Sequence, residues 1–143
     1  MKSSSRLISV LTIIALVFGS GFSGASASTA RAYVNNCGAP EYKPESLTQF
    51  CTDVGTGVVK IKWTSWTSTR AVGTGSYFVN TCEPDCADGK LLWAKVKVVL
   101  SGAKFTRGKR YLMNVTVSSI NGKPLPDASR TTTIGWVSDY WMD

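Results

Sequence analysis

The chain contains no histidine in 143 residues, which closes every mechanism that moves a proton through imidazole: Ser-His-Asp and Cys-His nucleophiles, histidine–zinc centres and histidine acid–base pairs. What remains for proton transfer is nine carboxylates, five tyrosines and the lysines. The densest acidic group is Glu83, Asp85 and Asp88. A glycosidase sets two carboxyl groups across a cleft, about 5 to 9.5 Å apart. These three instead share one short loop bracketed by Cys82 and Cys86, where carboxylates are solvated and Asp88-Gly89 is a turn pair. With Asn80 and backbone carbonyls they would offer oxygen ligands to calcium, but their order does not match an EF-hand loop. The reading is of a non-enzyme with no catalytic residue, no metal ligand and no cofactor.

Binding chemistry is more visible. Val59, Ile61 and Trp63 alternate with Lys60 and Lys62, and Ala94, Val96, Val98 and Leu100 alternate with Lys95 and Lys97, the period-two pattern of half-buried strands. Side chains three apart on a strand point to opposite faces, so if Trp63 joins the core, Trp66 points outward or lies in the following loop. Trp93 shares the parity of Lys95 and Lys97. If both strands lie in one sheet with their lysines on one side, Lys60, Lys62, Trp66, Trp93, Lys95 and Lys97 form a basic, aromatic surface. Flat rings beside cations suit stacking on sugars and pairing with acidic groups. The competing reading is that these tryptophans cap the end of the core, as is expected of Trp136, Tyr140 and Trp141.

The elements that would position this surface are all strands. Further extended runs are Ser46–Phe50, Ser76–Val79, Tyr111–Val117 (with Tyr111, Met113, Val115 and Val117 alternating) and Thr131–Val137, where Ile134 and Trp136 share a face. Asn121-Gly122 marks a tight turn. Some six short strands without an amphipathic helix predict an all-β fold, a small disulfide-stapled antiparallel β-sandwich or barrel. Residues 28–44 are expected to be partly irregular, because Ser28–Asn36 is polar and Pro40 and Pro44 interrupt Gly38–Pro44.

Lys2 and Arg6 precede an apolar run from Leu7 to Phe18, and Ala25-Ser26-Ala27 forms an A-x-A cleavage site, so residues 1–27 read as a signal peptide and 28–143 as a single secreted β domain. No transmembrane segment is expected after cleavage. The leader holds two of the sixteen basic residues and no acid, leaving 14 basic against nine acidic residues, a net +5. Such a charge favours anionic neighbours such as envelope polymers, acidic glycans or lipid head groups. Cys37, Cys51, Cys82 and Cys86 are the only cysteines, and in an oxidising compartment they predict two disulfides. Three connectivities exist. The favoured one is long-range, tying the segment before the first strong strand to the loop after the second; the alternative joins Cys82 to Cys86 locally. Cys82-x-x-x-Cys86 lacks redox spacing, and a four-thiolate zinc site is opposed by oxidation during export.

Between Tyr42 and Gly89 the chain carries Tyr42-Lys43-Pro44, Cys51-Thr52-Asp53, Trp63-Thr64-Ser65-Trp66, Gly73-Thr74-Gly75 and Asn80-Thr81-Cys82-Glu83-Pro84-Asp85-Cys86-Ala87-Asp88-Gly89. In these motifs and their order it resembles uncharacterised small secreted proteins of actinobacteria. Phe105-Thr106-Arg107 is similar to a downstream element of that pattern, from which Gly108, Lys109 and Arg110 depart. The resemblance implies export and β structure and carries no activity.

Three functions stay open at this level: a non-enzymatic secreted module contacting an anionic envelope polymer, glycan or another protein; a hydrolase inhibitor presenting the loop Thr81 to Lys90; and an enzyme working with carboxylates alone. Nucleic acid is not an expected partner of an exported chain. Asn114-Val115-Thr116 fits a glycosylation acceptor but lies within a strand pattern.

Overall fold

Strand β6, Leu91–Thr106, organises the molecule, because Val96, Val98 and Leu100 on one face are fully buried while Lys95 and Lys97 on the other are exposed. In this computed structural model, which describes residues 31–52, 55–126 and 130–138, the other strands are β1 (Ala32–Asn36), β2 (Ala39–Glu41), β3 (Leu47–Thr48), β4 (Thr56–Trp66), β5 (Ala71–Asn80), β7 (Lys109–Ser119) and β8 (Thr133–Val137). The protein is all-β, and no helix occurs among the described residues. The expected leader, Tyr140 and Trp141 lie outside them.

The strands form one sheet in the order β2-β1-β7-β6-β5-β4-β3, with β8 also on β7. Strands β4 to β7 are an antiparallel meander. β7 has two neighbours along its free edge: β1 pairs in parallel with its start, and β8 pairs antiparallel with its end. The parallel pair departs from the purely antiparallel expectation. The inner faces of β1 and β3 to β8 share one core, including Val34, Leu47, Val58, Val98, Leu112 and Val117, with Ile134 and Trp136 packed on it. A sheet that buries residues from both of its flanks in one cluster must curl onto itself.

Four expectations are corrected. Ala32–Asn36 is a strand with buried Ala32, Val34 and Asn35, not a frayed segment, and Pro40 sits in β2. β2 is the outermost strand of the order, a position where a missing N–H costs no ladder bond. In β4 the buried residue is Val58 rather than Val59, because one extra residue intrudes between Val59 and Lys62, with Lys60 at φ 53°. That bulge switches the inward parity before Ile61. In β7, Leu112 joins the core in place of Tyr111 and Met113, which are buried outside it. Opposite Met113 the ladder is interrupted by Gly102 at φ 68°, a conformation that favours glycine. Finally, both disulfides are local: Cys37–Cys51 spans 14 residues and Cys82–Cys86 spans four. The first closes the β1–β3 connection, and the second closes the tip between β5 and β6. The long-range pairing does not form because each cysteine finds a local partner, even though the connection after Cys51 adjoins the end of β5, where Asn80 N–H donates to the Gly55 carbonyl at 2.7 Å.

Candidate functional site

The outward residues of β4, β5 and β6 are set by register. Lys62 faces Thr74, which faces Lys97; Val59 faces Ser76, which faces Lys95; and Phe78 faces Trp93. Neighbouring strands lie about 4.8 Å apart and alternate residues about 7 Å apart along a strand, so the four lysines stand within one patch roughly 10 Å across. Lys60 and Lys62, two apart on β4, both line one open groove with Thr74, Ser76, Lys95 and Ile120, and the extra residue between Val59 and Lys62 is what lets Lys62 face outward although Val59 does too. Ile120 closes it at one end, anchored by its N–H donating to the Lys95 carbonyl at 3.2 Å. The groove has a volume of about 360 Å³, and among the described residues no carboxylate lines it. Cations this close act jointly, because their separation is comparable to the Debye length of about 8 Å at physiological salt.

Next to the lysines on the same face stand Leu91 and Trp93, 49% and 54% exposed, with the Phe78 ring 5.5 Å from that of Trp93. Lys60, Lys62, Lys95, Lys97 and Trp93 of the expected surface are thus together. Trp66 is not among them. A second irregularity between Trp63 and Ser65 adds a residue to β4, so Trp63 and Trp66 fall on the same, inner side. Their rings meet edge to face at 4.7 Å. Trp66 Nε1 donates to the Ala32 carbonyl on β1 at 3.0 Å, and Trp63 Nε1 donates to the Pro44 carbonyl at 2.8 Å. Gly73 opposite makes room, since a Cβ there would stand 2.9 Å from the Trp63 ring and 2.8 Å from the Lys62 carbonyl oxygen.

These two indoles belong to an aromatic seam that joins β4 to β1. Tyr42 packs on Trp66 at 5.5 Å and on Tyr33 at 6.4 Å, and Tyr33 reaches Tyr111 at 6.4 Å. Arg31 and Lys43 lie over the Tyr42 ring at 4.6 and 5.4 Å, and Lys109 lies over Tyr33 at 5.8 Å. Sequence reasoning missed this cluster: Tyr33 and Tyr42 sit in segments expected to be irregular, and nothing local signals their meeting. Its cations already rest on rings, which makes the seam a closure of the sheet.

The acidic loop is a rigid hairpin tip. Thr81 N–H donates to the Lys90 carbonyl at 2.9 Å, Asn80 Nδ2 donates to the Cys86 carbonyl at 2.9 Å, and the tip is closed by Cys82–Cys86. Asp85 Oδ1 accepts the N–H groups of Ala87 and Asp88 at 2.9 and 3.0 Å, the role of a turn former. Among the described residues no group of three or more acids or cysteines is placed to hold a metal ion. The cleft beside Cys37–Cys51, lined in part by Asn35, Thr48 and Trp136, measures about 20 Å³, room for about one water.

No family model matches the chain, and no curated protein or solved structure matches it.

Proposed function

We propose that this is an exported, non-enzymatic module that holds an anionic envelope polymer or acidic glycan on the outer face of β4, β5 and β6. The observation that carries this reading is the groove between Lys60, Lys62 and Lys95, continued by Lys97, with hydroxyls from Thr74 and Ser76 and no acid among the described residues that line it. Trp93 beside it offers a flat, half-exposed ring for a sugar. Export is supported by the leader pattern of residues 1–27, by the likeness of the motif string to small secreted actinobacterial proteins, and by two disulfides, which persist in oxidising compartments. No described helix is long and apolar enough to cross a membrane. The absence of histidine and the turn-forming use of Asp85 support a binding rather than a catalytic role.

The test is retention of the purified protein on immobilised polyanions, one a phosphodiester polymer and one a uronic-acid glycan, over a salt series. Binding is expected to weaken steeply with salt and to disappear when Lys60, Lys62, Lys95 and Lys97 are all changed to Gln. Retention unaltered by that change, or none at low salt on either polymer, rejects the reading.

A second reading rests on the hairpin tip. Its disulfide and hydrogen bonds pre-organise Thr81 to Lys90 for insertion into a hydrolase cleft, which lowers the ordering cost of binding. Inhibition of a secreted hydrolase would then survive high salt and be lost on reduction.

A further inference from the structure

Charge and polarity are segregated along the β5–β6 hairpin. At its tip Glu83, Asp85 and Asp88 are all exposed. The outer face then presents Leu91, Trp93 and Phe78, and beyond them Lys95 and Lys97, with Lys60 and Lys62 beside them on β4. Apart from Lys90 at the foot of the tip, acid, apolar waist and base follow one another in a line. Such a strip is complementary to itself when turned through half a rotation.

We propose that a second copy of this chain docks on this face about a twofold axis near Trp93, each acidic tip seated over the other copy's lysine groove. The spacing allows it. Asp88 stands five positions before Trp93 and Lys97 four positions after it; at about 3.4 Å per residue the strand arm from Trp93 to Lys97 is roughly 14 Å long, and the arm to Asp88, which ends in a turn before β6 begins, is at most roughly 17 Å. A rotation about Trp93 therefore superposes tip on groove, and an isologous interface makes each contact twice. The waist supplies the apolar centre that such an interface needs: Leu91 and Trp93 are about half exposed, and the Trp93 ring already leans on Phe78. Asp85 spends one oxygen within its own turn, so Glu83 and Asp88 are the principal partners for the lysines. The tip needs no ordering on contact, because its disulfide and the Thr81–Lys90 hydrogen bonds fix it beforehand.

This dimer does not depend on the polymer, but it uses the same lysines. An anionic polymer would therefore displace the partner's tip.

Sedimentation velocity of the purified protein over a range of concentrations and salt tests the proposal. Wild type is expected to show a reversible species of twice the chain mass at low salt that dissociates as salt rises. Lys95→Glu with Lys97→Glu should leave monomers, as should Glu83→Lys with Asp88→Lys. The two reversed variants mixed in equal amounts should form a heterodimer, because every acid then faces a base again. Trp93→Ala should weaken association at all salt concentrations. All these positions are exposed, and an unchanged near-ultraviolet circular dichroism spectrum checks that each variant is folded. A monomeric wild type at every concentration, dimers that persist through either charge reversal, or a mixture that stays monomeric overturns the proposal. Polyanion retention by a strictly monomeric protein sinks the dimer and leaves the binding function; a salt-sensitive dimer with no retention on any polyanion does the reverse.

Discussion

Trp66 and Trp93 lie in regions built from the same ingredients, tryptophan beside lysine or arginine, yet the two regions do opposite work. Around Trp66 each component has an internal partner: indole N–H groups donate to the Ala32 and Pro44 carbonyls, rings pack edge to face, and Arg31, Lys43 and Lys109 rest on tyrosine faces. Around Trp93 the lysines line open space, and the ring is half exposed, with Phe78 against it. Composition does not separate a seam from a binding face. Satisfaction does: groups whose hydrogen bonds and charges are met within the fold stabilise it, and groups left facing solvent are free to bind.

The contrast breaks most readily at the seam. Trp66→Ala removes a ring wedged between Tyr42 and Trp63 and leaves the β1–β4 junction unfilled, and it should lower unfolding free energy by about 3 kcal/mol in chemical denaturation. Trp93→Ala should cost less than about 1 kcal/mol in the same assay; equal losses would erase the distinction between the regions. Replacing Cys37 and Cys51 together by Ala releases the 14-residue loop next to the seam and should cost about 3 kcal/mol, against about 2 kcal/mol for the four-residue Cys82–Cys86 loop at the end of the exposed hairpin. A reversed order in midpoint denaturant would show that the tip, not the β1–β3 connection, holds the sheet. Gly73→Ala should cost about 1 to 3 kcal/mol, because its Cβ meets the Trp63 ring and the Lys62 carbonyl oxygen; an unchanged midpoint would mean that Trp63 is not pinned there. The smallest effect belongs to the four lysines. Their joint change to Gln should move stability by no more than about 0.5 kcal/mol while abolishing polyanion retention.

Where the hydrophobic alternation is uninterrupted, the strand and its faces were legible. Val96, Val98 and Leu100 point inward and Lys95 and Lys97 outward, as period two requires, and Ile134 and Trp136 share the inner face. Where a residue is inserted, parity failed. Lys60 in a left-handed conformation moved burial from Val59 to Val58, and the irregularity before Ser65 turned Trp66 from the outer face to the inner one. Short-range sequence carries no strong mark of a bulge at a lysine, because the positive φ is sustained by the pairing of β4 with β5 rather than by a glycine. The stretch Arg31–Glu41 looked irregular for a similar reason. β1 is held by β7, more than seventy residues away, and β2 in turn by β1.

The sequence by itself determined the strand-rich class, the absence of imidazole chemistry, the even set of cysteines and the lysine faces of two strands, since each follows from composition or from a period that neighbouring residues impose on one another. The tertiary structure decided which cysteines pair, which tryptophan is inside, and that Lys60, Lys62 and Lys95 share a groove with Ile120. Those outcomes depend on register and on bulges, and a register is a relation between segments that no single segment encodes.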